Sequence, residues 1–144
     1  MYKISLMGLN DLEEAYKIEL DVNPSPWKYD TFLSSFEVGH KCLICKQDKK
    51  IIRFIIFFPI IPEAHILSIS VKKEMQSNGI GTLLLKSMLD QCKAMNYKKI
   101  FLEVRVTNIQ AINFYEKFGF SKDAVRSNYY TDNSEDALLM SLSI

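Results

Sequence analysis

The 144 residues suffice for one domain, expected to span 1–144, with a core that needs no staples, and 48% hydrophobic with 24% charged residues is ordinary globular composition. Lys and Arg number 18 against 17 Asp and Glu, and a formal charge of +1 is too small for a broad nucleic-acid-binding surface. No apolar run approaches the ~18 residues of a membrane span, no basic segment precedes a long apolar core as in a secretory signal, and three cysteines suit a reducing cytoplasm better than a disulfide framework.

Met1 to Leu6 alternates Tyr2, Ile4 and Leu6 with Lys3 and Ser5, a half-buried strand. Asn10 then suits a helix N-cap, with Glu13 closing a capping box. Asn23-Pro24-Ser25-Pro26 stops that helix, and Thr31, Phe32, Leu33 and Phe36 follow Trp27 at the spacing of a second, short one. Cys42–Cys45 and Ile51–Phe58 are rich in branched and aromatic residues and flank Gln47–Lys50, an antiparallel hairpin. The longest apolar run, Phe54–Ile61, is strand-sized and interrupted by Pro59.

His65 to Val71 reads as a further strand, Lys72 to Gly81 as a polar, glycine-bearing loop, and a helix runs on from Thr82. Its apolar side is expected to carry Ile80, Leu83, Leu84, Met88, Leu89, Cys92 and Met95, with Asn96 as a left-handed stop. In the strand Ile100–Val106, Ile100, Leu102, Val104 and Val106 share one face, and Phe101, Glu103 and Arg105 the other. Asn108 suits an N-cap for a helix over Ile109–Phe118, stopped by Gly119. Thr131–Ser134 is a turn, and Ala137–Ile144 closes the sheet. The class is α+β, or mixed α/β, around one twisted sheet.

Several groups could carry chemistry. A glycine-bearing turn that opens a helix presents unpartnered N–H groups and a positive dipole end, a site for an anion and most often a phosphate. The loop lacks the Gly-Lys-Ser/Thr ending of a nucleotide P-loop; the alternative is that Gly79 and Gly81 only let the helix start close to the sheet. Glu103 has the position of a general base, or of a carboxylate paired with Arg105 or a lysine on a solvated face. Tyr115 is either a proton donor or a core aromatic. Cys42 and Cys45 have C-x-x-C spacing, but residues three apart in a strand point to opposite faces. His40 and His65 stand isolated, with no adjacent Ser, Cys or acid. No metal site is expected. Asn128-Tyr129-Tyr130 and Glu135-Asp136-Ala137 are either an edge surface or the lining of a substrate mouth.

Together these residues resemble the GNAT acetyltransferase superfamily. Gln76-Ser77-Asn78-Gly79-Ile80-Gly81 is similar to its Q/R-x-x-G-x-G/A signature, and Asn108, Ala111, Tyr115 and Gly119-Phe120 to its N-x-x-A-x-x-x-Y-x-x-x-G-F block. Within it the chain is most similar, over nearly its full length, to the branch that acetylates the N-terminal alanine of a small-subunit ribosomal protein. That similarity adds Ala15-Tyr16-Lys17-Ile18-Glu19, Pro26-Trp27, Leu102 to Arg105, Arg126, and the segments around Tyr129 and Asp136.

The resemblance implies a mostly antiparallel sheet flanked by helices and acetyl-CoA as co-substrate, with no metal. The pyrophosphate would lie on the amides of Ser77, Asn78, Gly79, Ile80, Gly81 and Thr82, after Gln76. The pantetheine arm would pair with backbone at Ile69, Ser70 and Val71, and Asn108 would contact the cofactor. Glu103 would be the general base and Tyr115 the general acid. Trp27, Asn128, Tyr129 and Tyr130 would meet the substrate, a protein N-terminus. Ser77 stands where the family commonly has a basic residue, so the grip should rest chiefly on amides, with Gly79 and Gly81 permitting the approach. Thr131 replaces an expected proline, and Asn96-Tyr97 stands where glycine is frequent. The competing readings are acetylation of a small amine (polyamine, antibiotic or amino acid) and a non-catalytic CoA-binding module.

Overall fold

Alternation at the N-terminus and the two branched, aromatic runs after residue 40 become β1 (Tyr2–Leu6), β2 (Lys41–Gln47) and β3 (Lys50–Ile60) in the computed structural model, which describes residues 2–23, 26–71 and 79–144. Asp48 and Lys49 alone join β2 to β3, with φ +51° and +68°. Positive φ at both positions gives the turn whose twist matches that of paired strands. β4 (Glu63–Val71) returns along β3, and α3 (Ile80–Ala94) carries the chain over to β5 (Lys99–Arg105). α4 (Ile109–Lys117), β6 (Ser121–Arg126) and β7 (Ala137–Ser143) complete the chain, while α1 (Leu12–Val22) and α2 (Tyr29–Glu37) lie between β1 and β2.

The seven-stranded sheet has the order β1-β2-β3-β4-β5-β7-β6 and is antiparallel except between β4 and β5. The expected mixed α/β architecture is therefore the observed one. Strand alternation sends side chains to two cores. One, with Leu43, Ile55, Phe57, Ile100 and Leu102, is covered by α3 and α4; the other, with Ile44, Phe54 and Ile56, is covered by Leu12, Ala15 and Ile18 of α1 and Phe32 of α2. Cys45 belongs to the first core and Cys42 to the second, so the C-x-x-C pair cannot share a ligand.

Two local expectations need correction. Asn10 is not an N-cap: Leu9–Asp11 forms a single 3-10 turn, in which the Gly8 N–H donates to Asp11 Oδ2 at 2.9 Å. Asp11 thereby closes the turn, and it also holds Lys46 Nζ at 2.8 Å, which keeps its carboxyl below the usual range. On α3 the buried stripe is Ile80, Leu84, Leu85, Met88, Leu89 and Cys92, while Leu83 is 39% exposed and Met95, past the helix end, 52%. Leu83 lies roughly 140° round from Met88 at 3.6 residues per turn. Asn96 does take the left-handed conformation, with φ +62°, and β5 buries Ile100, Leu102 and Val104 as the alternation requires.

The connection between α1 and α2 folds around one buried carboxylate. Glu19, fully buried, accepts from the Trp27 N–H at 3.0 Å and from Asn23 Nδ2 at 2.9 Å, and the Tyr16 hydroxyl donates to the Trp27 carbonyl at 2.8 Å. Truncating this acceptor removes both of these part-buried, charge-assisted hydrogen bonds. Glu19→Ala is expected to lower stability by about 1–3 kcal/mol, read from the urea unfolding midpoint.

Candidate active site

Parallel pairing between β4 and β5 runs only from Glu63 opposite Lys99 to Ile66 opposite Leu102. Beyond it β4 continues to Val71, still paired with β3, and β5 continues to Arg105, still paired with β7. Their facing edges thus part. From Leu67 onward the β5-facing backbone donors and acceptors of β4 have no strand to pair with, and backbone groups in such a cleft are available to a ligand. Ile69, Ser70 and Val71, expected to pair with an extended ligand arm, lie along this open edge.

At the same end stands the start of α3. Gly79 is its N-cap, with φ +83°, a conformation that costs a side-chain-bearing residue about 1–2 kcal/mol. Ile80, Gly81 and Thr82 form the first turn, whose N–H groups have no intrahelical acceptors. The two glycines prove to have different reasons. Around Gly79 a Cβ would meet nothing, whereas at Gly81 it would come within 2.5 Å of Arg53 Nη1 and 2.8 Å of Arg53 Cζ. Gly81 is therefore small because an arginine from β3 fills the space, a cause additional to ligand approach. Gln76, Ser77 and Asn78 lie outside the described residues. Asn108 caps α4 as expected: its Oδ1 accepts from the Ala111 N–H at 3.2 Å.

Glu103 is the first residue of β5 past the paired register, and it points away from the α3–α4 core. Its carboxylate is hydrogen-bonded to His65 Nε2, and the two side chains are only 15% and 19% exposed. The His65 ring stacks on Phe101, 4.5 Å between centroids and 16° between planes. His65 is thus not isolated. The β4–α3–β5 crossover makes these strands parallel neighbours, so the polar residues on their shared face meet across the sheet. Pairing with Arg105 is not observed either. Arg105 binds Asp132 at 2.9 Å, Asn133 at 3.1 Å and Glu135 at 3.3 Å, and lies 4.0 Å from the centroid of Tyr130.

That arginine fastens the segment before β7 over the mouth beside Glu103. Glu135 also accepts from the backbone and hydroxyl of Thr107, and the Asn128 N–H donates to Asp136 at 3.0 Å. Tyr129 and Tyr130 meet edge to face, with centroids 5.0 Å apart. Burial pushes the Tyr130 phenol up to about 12 against the pull of Arg105; the Tyr129 phenol is raised by burial and then by the charge of Glu103. Tyr129 and Tyr130 therefore lie within reach of the Glu103 charge, and Asn128 is held beside them by Asp136. Trp27 lines a cleft of about 380 Å³ with Asp30, Thr31, Ser34 and His40, its ring against Phe32.

Tyr115, in the last turn of α4, packs on the opposite core, between Phe114 and Phe120. Burial pushes its phenol up to about 12, opposed by the positive charge of Arg53. Glu103 and Tyr115 thus lie on opposite faces of the sheet. Sequence reasoning missed His65 and Arg53. The shared polar face of two consecutive parallel strands could have signalled His65; for Arg53, a lone charge inside the apolar run Ile51–Phe58 is the available mark.

Residues 8–120 match the family model described as the acetyltransferase (GNAT) family. The [ribosomal protein bS18]-alanine N-acetyltransferase of Escherichia coli strain K12 is 35% identical over 146 residues, covering 100% of this chain and 99% of that protein. An N-alpha-acetyltransferase of Sulfolobus acidocaldarius is 30% identical, covering 96% and 90%. The crystal structure of the ribosomal-protein-S18-alanine N-acetyltransferase from Escherichia coli superposes with a TM-score of 0.95, at 35% identity, covering 100% of this chain and 94% of that one.

The glycines make a test of the local geometry. Gly79→Ala should cost about 1–2 kcal/mol through its backbone alone. Gly81→Ala should cost stability by displacing Arg53, so Arg53→Met should remove most of that cost, while leaving the Gly79→Ala cost unchanged. Urea unfolding of the single and double variants measures both couplings.

Proposed function

This chain belongs to the GNAT family of acetyltransferases, and we propose that it moves the acetyl group of acetyl-CoA to the N-terminal α-amine of a protein, an alanine like that of the bS18 named for its relatives. The observation that supports this reading is a carboxylate–imidazole pair at the point where β4 and β5 part, with an unpaired strand edge beyond it and the phenol of Tyr115 on the other face of the sheet. The donor set fits the co-substrate. Ile69, Ser70 and Val71 offer backbone groups to an amide-bearing arm, the first-turn amides Gly79 to Thr82 face a phosphate, and Asn108 stands at the head of α4.

An α-amine with pKa ~7.7–8.0 is already neutral for roughly a tenth to a sixth of molecules at pH 7. Glu103 therefore needs only to take the remaining proton, directly or through one water, from the acceptor's amine. His65 Nε2 fixes where that carboxylate points. Unpaired amides of β4 can hold the negative charge that develops on the carbonyl oxygen. Tyr115, protonated at every working pH, gives its proton to the departing thiolate. Burial holds the thiols of Cys42 and Cys92 up at about 12 and about 11. Neither is a nucleophile, which supports direct transfer rather than an acyl-enzyme.

Turnover of a bS18 N-terminal peptide is expected to fall by about 10²–10⁴-fold in Glu103→Gln and in Tyr115→Phe; unchanged activity in both variants would remove the catalytic assignment. A phenol raised to about 12 keeps its acid form as pH rises. The wild-type kcat should accordingly stay level through the ordinary phenol value of ~10 instead of falling there. Arg105→Ala frees the segment that bears Tyr129 and Tyr130. Its KM for the peptide should rise roughly tenfold, with that for acetyl-CoA nearly unchanged, as initial-rate kinetics would show.

A further inference from the structure

Arg53 leaves β3 opposite Cys45 on one side and Val71 on the other, level with the end of the open β4 edge. Its guanidinium lies against Gly81, under the first turn of α3. Nε is buried and has no hydrogen-bond partner, and among the described residues Arg53 makes no ion pair. Arg53 as a whole is part-buried with its Nε fully so, and a cation so desolvated is ordinarily paired. The nearest ionisable neighbours do not compensate: burial holds Tyr115 and Cys45 in their neutral forms. The helix start adds positive charge of its own at the same place. The fold thus concentrates uncompensated positive charge at the corner where the open strand edge meets the α3 amides.

We propose that Arg53 is this chain's cationic contact for the pyrophosphate of its acyl donor, reaching it from beneath the amides of the α3 first turn. This rests on the acetyl-CoA reading above and assigns to β3 a part of the binding site that the loop before α3 does not contain. A guanidinium offers its donors as a planar fork matched to phosphate oxygens. Its partner arrives with the ligand, which accounts for the lack of an ion pair among the described residues.

Calorimetry of acetyl-CoA binding to wild type, Arg53→Met and Arg53→Lys tests the assignment. Methionine keeps the apolar stem and removes the charge. It should weaken binding roughly 10- to 100-fold and flatten its salt dependence, while lysine should restore much of the affinity. Ligand-free Arg53→Met should melt at a higher temperature than wild type, and gain less on saturation with acetyl-CoA. S-acetylpantetheine, the same thioester without phosphates, should bind wild type and Arg53→Met with equal affinity. Equal acetyl-CoA affinity and salt slope in the two proteins would overturn the proposal. So would a loss of S-acetylpantetheine affinity in Arg53→Met equal to the loss for acetyl-CoA, which would put the charge at the thioester arm. If wild type itself bound no acetyl-CoA, the functional reading would fail, and the Arg53 assignment with it.

Discussion

The early end of the β4–β5 pairing is the constraint on which the rest of the molecule depends. A sheet normally satisfies every interior backbone group, yet here two central neighbours share hydrogen bonds only from Glu63 to Ile66 and then separate. The separation is held open from outside. β3 keeps β4 in register as far as Val71, and β7 keeps β5 in register as far as Arg105. Neither strand can swing to close the gap without breaking a full ladder. The unpaired stretch is therefore a fixed feature, built from the most regular part of the fold.

Side chains around the gap follow from strand alternation. Residues of β5 that point toward α3 and α4 are apolar and buried, so the intervening Glu103 must face the other way, where His65 comes up from the neighbouring strand. Tyr115 packs on the α3–α4 side. Burial is the main cause that raises the phenols of Tyr115, Tyr129 and Tyr130. The charge of Glu103 adds to it at Tyr129 and Tyr130, where Arg126 and Arg105 counter it, and Arg53 opposes burial at Tyr115.

What could be read from the chain alone was what local sequence determines. The α3 helix, the alternation of β5, the Asn108 cap and the left-handed Asn96 all rest on residues within a turn or two of one another. Local position marks Glu103 and Tyr115 only as candidates; their roles as base and acid come from the family resemblance. The misreadings were of two kinds. Asn10 and Leu83 failed locally, because a competing carboxylate at Asp11 closed the turn first and because Leu83 lies roughly 140° round from Met88 on the helix. His65 with Glu103, Arg53 with Gly81, and Arg105 with Asp132 and Glu135 join residues 38, 28, 27 and 30 positions apart. Which strands become neighbours decides those pairs, and no local period encodes it. Trp27, grouped with the substrate residues on resemblance, lines the cleft beside α2.

Because the gap passes through the sheet rather than into one face, it has two doorways. The mouth beside Glu103 opens on the side of α1 and α2; the amides of α3 and the phenol of α4 belong to the other. On the function proposed above, acceptor and donor would come to the gap from different sides of the sheet, so that one could be exchanged while the other stayed in place.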